Sequence, residues 1–239
     1  MKVLVLVSLF TIGLGTTFAT TTDKLMLTVG GLTATITDNG GCVGAGCVLL
    51  FGDINPVAGT DSVSGSIGGW TISITSGTSK SPSDVPLGLD LTSLTANCDL
   101  GPCDVNSLDV QFSDINFSPA NPSFLTQYSA TITGSGGSTS ESAYFSNCGA
   151  TCTNANLFQE TVLIGTVGPF TATNSGSATG GIGSIAPYSL TLDQVFTATT
   201  NAAFSVDGSV SSVPEPGAVM LFGTVLALCA SKLRRRRSS

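Results

Sequence analysis

The chain contains no histidine. That absence removes Ser-His-Asp and Cys-His nucleophilic sites, the usual general base near neutral pH, and the commonest metal ligand. Positive charge is nearly as scarce. The 239 residues hold 8 lysines and arginines, and most sit at the two ends: Lys2, Lys232, Arg234, Arg235, Arg236 and Arg237. Between residues 20 and 213 only Lys24 and Lys80 oppose 14 acids, a net charge of −12, and there is no arginine. Such a surface cannot neutralise phosphates, which argues against a nucleic-acid partner. It is repelled by anionic membrane surfaces, and cations are its natural small partners. Aromatic surface is limited too. The single Trp70 argues against a stacking platform for sugars, although Tyr128, Tyr144 and Tyr188 remain. Only Glu141 and Glu160 stand as glutamates in this middle region. They are the pair a glycosidase would need. Their contexts, a Ser/Gly stretch and the residue before a strand, read instead as solvated surface acids.

What is abundant is hydroxyl and glycine: 63 serines and threonines and 29 glycines. Threonine and valine favour strands, whereas Gly, Asn, Asp and Ser favour turns. Apolar alternation recurs along the middle, which sets it apart from a disordered Ser/Gly chain. Leu25, Leu27 and Val29, then Gly30-Gly31, then Leu32, Ala34 and Ile36 predict a hairpin. Trp70, Ile72 and Ile74 predict a strand, as do Leu87, Leu89 and Leu91, and Tyr128, Ala130 and Ile132. Val110 and Phe112 continue to Ile115 and Phe117 with a change of phase at Asp114, the mark of a bulge. Val162 to Val167 is a fuller apolar run. Leu190 and Leu192 shift phase near Val195 and Phe196. Ala203 to Gly208 forms a last strand. Gly134 to Ser140 and Asn174 to Ser184 read as exposed loops, and Gly208 to Val213 as a linker. About ten strands without helical periodicity predict an all-β, antiparallel β-sandwich of jelly-roll-like form over residues 20–213. A β-helix is the second choice.

The two ends differ from this middle. Met1-Lys2 followed by the apolar Val3 to Leu14 and the small residues up to Ala19 has the form of a cleavable signal peptide over 1–19. Residues 214–239 carry three parts in order. Pro214 and Pro216 hold Glu215 extended and accessible. Gly217 to Leu233 is an apolar run about 25 Å long as a helix, a single short transmembrane span. Lys232, Arg234, Arg235, Arg236 and Arg237 then form a basic stop that stays in the cytoplasm. Val213-Pro214-Glu215-Pro216-Gly217, the short apolar run and the arginine cluster closely resemble the PEP-CTERM sorting signal of Gram-negative bacteria, over residues 213–237 only. The resemblance implies passage through a secretion translocon and transient anchoring in the inner membrane. It implies processing at Pro214, Glu215 and Pro216 by an exosortase-type membrane protease. It further implies release to the cell surface or the extracellular matrix, in association with exopolysaccharide and biofilm.

Six cysteines lie in the middle region as Cys42 and Cys47, Cys98 and Cys103, and Cys148 and Cys152. An exported chain meets an oxidising compartment, so disulfides are the default for them. Six cysteines allow about 15 connectivities, of which local pairing is the hypothesis taken here. Spacings of three and four residues and the missing histidine argue against zinc. Aspartates are the better metal candidates, and calcium their natural ion. Asp99, Asp104, Asn106 and Asp109 cluster beside Cys98 and Cys103, though without the spacing of an EF-hand. Asp53, Asn55 and Asp61 form a looser group. No other cofactor is indicated. The function expected from these features is that of an exported, non-catalytic surface or matrix protein. The alternative is a carbohydrate-binding module or polysaccharide-active enzyme on a sandwich fold.

Overall fold

The computed structural model describes residues 23–50, 52–57, 59–79, 88–98, 107–117, 123–181 and 187–213. The leader, the sorting tail, Asp99, Asp104, Asn106 and Cys103 lie outside the described residues. Among the described residues fourteen strands follow one another: β1 (Lys24–Val29), β2 (Leu32–Thr37), β3 (Cys42–Val43), β4 (Leu49–Leu50), β5 (Thr60–Ile67), β6 (Trp70–Ser79), β7 (Gly88–Cys98), β8 (Leu108–Phe117), β9 (Ser123–Gly134), β10 (Gly137–Asn147), β11 (Val162–Phe170), β12 (Asn174–Gly181), β13 (Tyr188–Ala198) and β14 (Ala202–Val213). They form two sheets of seven. Sheet one runs β11-β10-β13-β8-β1-β2-β3 and sheet two β12-β9-β14-β7-β6-β5-β4. Every pairing is antiparallel, which discards the β-helix. Among the described residues no helix is long and apolar enough to cross a membrane.

Alternation explains the sandwich. Each sheet turns its period-2 apolar face to the other, and the two faces close into one core. Leu25, Leu27 and Val29 are buried on β1, and Trp70, Ile72 and Ile74 on β6. Large aromatics fill the centre. Phe196 of sheet one meets Phe204 of sheet two edge to face at 5.4 Å, and Trp70 lies 6.0 Å from Phe204. The hairpin predicted at Gly30-Gly31 is present, with both residues at positive φ, 53° and 85°. The bulge predicted near Asp114 is present as well. Between Asp114 and Phe117 β8 carries one residue more than its partner β13, and Asn116 takes a φ of 66°.

Four local readings are corrected. Gly134 to Ser140 is not a loop: β10 starts at Gly137, and its first inward positions are Gly137, Thr139 and Glu141. An inward face without apolar residues leaves no periodic signal. Asn174 to Gly181 is the edge strand β12, largely exposed, so hydrophobic alternation is not required of it. Gly208 to Val213 belongs to β14 rather than to a linker. The phase shift in β13 is absent, because Gln194 takes an inward position and is fully buried.

Cys42–Cys47 and Cys148–Cys152 are disulfide-bonded, with Cα–Cα distances of 5.6 and 4.7 Å. Cys98 is disulfide-bonded too, to a residue outside the described set. Each short bridge pins a turn at a strand end, a contribution of about 2 kcal/mol for loops this small.

Candidate functional site

Three groups of polar side chains stand out against this core. The first is a trench on the outer face of sheet two. Inward residues alternate with outward ones, so Gln127 and Ser129 of β9 and Ser175 and Ser177 of β12 point to solvent on neighbouring strands. Ser129 pairs with Asp207 of β14, and Gln127 with Ser209, which in turn faces Asp90 of β7. A bulge at Thr92-Ser93 disturbs β7 opposite Asp207: Ser93 has a φ of 54°, and its N–H donates to Asp207 Oδ1 at 2.7 Å. The sheet is hollowed along this line. A depression of about 560 Å³ is lined by Asp90, Gln127, Ser129, Ser177 and Asp207, with Gly208 in its wall. A second, of about 320 Å³, shares Ser129, Ser175 and Asp207 with it. A third, of about 110 Å³, shares Asp90 and Ser209. The three form one open path across four strands, lined by hydroxyls, an amide and two carboxylates. Tyr128 also lines the first depression but is itself buried, and among the described residues Trp70 and Tyr188 are buried as well. The Tyr128 ring stacks on Phe170, 6.0 Å away inside the sandwich.

Directly beneath Gly208 lies the second group. Glu141 of β10 is fully buried between the sheets, which corrects its reading as a solvated acid. Gln194 Nε2 donates to Glu141 Oε2 at 2.9 Å, and Thr126 Oγ1 sits 2.9 Å from Oε1. Thr126 Oγ1 also lies 3.1 Å from the carbonyl of Ser209. A hydroxyl has one proton and can donate to only one of these acceptors. With Glu141 protonated both contacts are satisfied, since its O–H donates to Thr126 and Thr126 donates to Ser209. Burial, only partly offset by the bonds from Gln194 and Thr126, pushes the carboxyl up to about 8. Glu160 is elsewhere, on the outer face of sheet one, where Gln111 Nε2 donates to its Oε1. Burial and the charge of Asp109 raise it above the ordinary range. The two glutamates, set aside from the sequence as a glycosidase pair, lie on different faces of sheet one, and Glu160 is exposed as expected. Asp109 stands beside Asp193 of β13. Burial raises both carboxyls, Asp193 to about 8, and the two share a hydrogen bond. No described residue joins Asp109 to a calcium-type ligand set.

The third group lies at the end of the sandwich where β1, β2 and β5 meet. Asp38 follows β2, Asp53 lies in the segment before β5, and Asp61 sits on β5. One carboxylate oxygen from each lies within 4.8 Å of the other two. Asp38 Oδ2 accepts from Gly59 N at 2.9 Å. Asp53 Oδ1 accepts from Asn55 N and Ser62 N, and its Oδ2 from Asn39 N. Asp61 is fully buried, and neither of its oxygens has a hydrogen-bond donor among the described residues. Burial first, then the negative charges of Asp23, Asp53, Asp38 and Asp114, push its carboxyl up to about 9. Of the looser group read from the sequence, Asp53 and Asp61 are drawn together, whereas the Asn55 side chain accepts from Val57 N instead. Asp38 was missed because it is brought in by the other sheet.

No family model matches the chain, and no curated protein matches it. Solved structures do give matches. One is the enzymatically active domain of tailspike protein 4 of bacteriophage CBA120, at 10% identity and a TM-score of 0.35 over 61% of this chain and 19% of that one. Another is the Clostridium thermocellum xylanase 10B, CBM22-1 and GH10 modules complexed with xylohexaose, at 10% identity and a TM-score of 0.33 over 62% and 27%. A third is TmCBM61 in complex with β-1,4-galactotriose, at 13% identity and a TM-score of 0.31 over 60% and 88%. The chain spans well under a third of the length of the first two. At such TM-scores none of these likenesses bears on its ligand.

Proposed function

We propose that this chain is an exported, non-catalytic protein of the cell surface or extracellular matrix that holds an uncharged polysaccharide along the outer face of sheet two. The trench carries the reading. Its three linked depressions are open, elongated and polar, a shape that suits a linear polymer better than a small enclosed ligand. Hydroxyls, the amide of Gln127 and the carboxylates of Asp90 and Asp207 supply the alternating donors and acceptors that sugar hydroxyls need. Those same carboxylates, on a body of net charge −12, disfavour a polyanionic chain. Without aromatic stacking each contact merely exchanges with water, so single-site affinity is low and retention relies on many copies. Disulfides at Cys42–Cys47 and Cys148–Cys152 support life outside the cytoplasm. In this reading the tail around Pro214, Glu215 and Pro216 delivers the protein through an exosortase-type protease, and export makes the trench useful.

Affinity electrophoresis of the mature secreted protein in gels containing neutral polysaccharides tests the trench. Retarded migration is expected on at least one polymer. Changing Gln127→Ala and Ser177→Ala together removes two hydrogen-bonding groups at exposed positions and should weaken retention about tenfold or more, with the melting temperature unchanged. Unretarded parent protein across the panel, or equal retention of the double variant, would reject the reading. Delivery is tested separately. Replacing Pro214, Glu215 and Pro216 by alanine should leave the tail attached, read as the intact mass of the product; a normally trimmed, released variant would count against it.

A further inference from the structure

We propose that Asp38, Asp53 and Asp61 form a calcium site that clamps the two sheets together at one end of the sandwich. The argument starts from Asp61. A carboxylate removed from water costs several kcal/mol unless something compensates it. Asp38 has Gly59 and Asn39 as donors, and Asp53 has three backbone N–H groups. Among the described residues Asp61 has no donor at either oxygen; it is fully buried and turns an oxygen toward the other two carboxylates. An unpartnered buried acid aimed into a group of acids calls for a cation.

The chemistry selects which cation. The ligands are oxygens only, with no nitrogen or sulfur in the group, which suits a hard ion. Oxygens on one calcium ion stand about 2.4 Å from it, so two of them are at most about 4.8 Å apart. The three ligand oxygens fall within that limit of one another. Magnesium demands a tighter octahedron and holds its water more firmly, so a cage of three carboxylates favours calcium. Asp23, just before β1, adds a fourth negative charge felt by Asp61. Placement gives the site its role. Asp38 ends a strand of sheet one and Asp61 belongs to sheet two, with Asp53 on the segment leading to β5. One ion bound to all three ties the sheets together where no disulfide among the described residues does so.

The test uses the full mature protein, stripped with chelator and then titrated with calcium chloride. A single calcium-binding event is expected by calorimetry, with a rise in melting temperature of about 5–10 °C at a hundredfold excess over Kd. Magnesium at the same concentration should give a much smaller rise. Asp61→Asn should abolish the calcium-dependent rise. It should also melt no lower than the calcium-free parent, because the amide matches the carboxyl in shape and carries no charge to bury. Asp53→Asn, at a half-buried position, is the second variant and should weaken binding tenfold or more even if Asp61→Asn fails to fold. Stripped, folded parent protein that neither binds calcium by calorimetry nor gains melting temperature overturns the proposal. So does a calcium response that survives in Asp53→Asn unchanged.

Discussion

Alanine at position 208 is expected to be among the most damaging single substitutions in the sandwich. A Cβ built on Gly208 would overlap Glu141 Oε2 and Gln194 Nε2. Neither atom can retreat freely. Glu141 is fixed by Thr126 and Gln194 inside a closed core, and withdrawal would leave buried polar groups unpaired. Overpacking alone usually costs about 1–3 kcal/mol, and the lost hydrogen bonds add to it, so a loss of about 4 kcal/mol is expected. In a body of this size that corresponds to a fall in melting temperature of about 10 °C. The obstacle is the carboxylate together with the Gln194 amide it holds, and removing Glu141 frees room for both, so the two positions should be strongly non-additive. In a Glu141→Ala background, Gly208→Ala should cost about 1 kcal/mol or less. Thermal melts of the four proteins of this cycle decide it. A Gly208→Ala variant that melts with the parent would show that the close approach is not rigid.

Stability should also fall as pH rises from about 5 to about 8, and Glu141 should be a main cause. Its folded-state carboxyl is raised to about 8, from an ordinary value of 4.5. Below the ordinary value the acid is protonated whether the chain is folded or not, and its contribution is fully present. As pH rises, the unfolded chain releases the proton first while the folded one keeps it, so stability drains away until the folded group ionises too. The amount is on the order of 3–5 kcal/mol. Glutamine at 141 is close to the neutral acid in shape, can donate to Thr126 and can accept from Gln194. Glu141→Gln should therefore flatten this part of the profile and be the more stable protein at pH 8. Asp193, raised to about 8, titrates with the same sign, so a residual slope is expected to persist in the variant. Urea unfolding of parent and variant at pH 5 and pH 8, at fixed calcium, measures the difference. Equal losses for the two proteins would mean that Glu141 does not hold its proton.

Strands were legible where one face is continuously apolar. β1, β2, β6, β8, β9 and β14 show the period of two because each inward position must exclude water. β10 hid because glycine, threonine and glutamate occupy its first inward positions, and Gln194 looked like a break for a related reason. The residue it pairs with, Glu141, is polar too, and two polar residues that satisfy each other leave no hydrophobic trace. β12 hid because an edge strand is held by backbone hydrogen bonds to β9, which any outward side chain allows. The phase change at Asp114 was legible because a bulge shifts the alternation itself.

The candidate sites divide along the same line. Cysteine spacing suggested Cys42–Cys47 and Cys148–Cys152, since only four and three intervening residues keep each pair close along the chain. The all-β character, the missing histidine and the acidic body were likewise written in composition. Tertiary structure alone decided that Asp38 joins Asp53 and Asp61. It alone set Asp90, Gln127, Ser177 and Asp207 on one trench, and carried Glu141 into the core while Glu160 stayed on an outer face. The reason is physical. Alternation tells which side of a strand a residue occupies, but pairing order tells which strands lie side by side. In a sandwich whose neighbours are distant in the chain, every site made from several strands depends on that order.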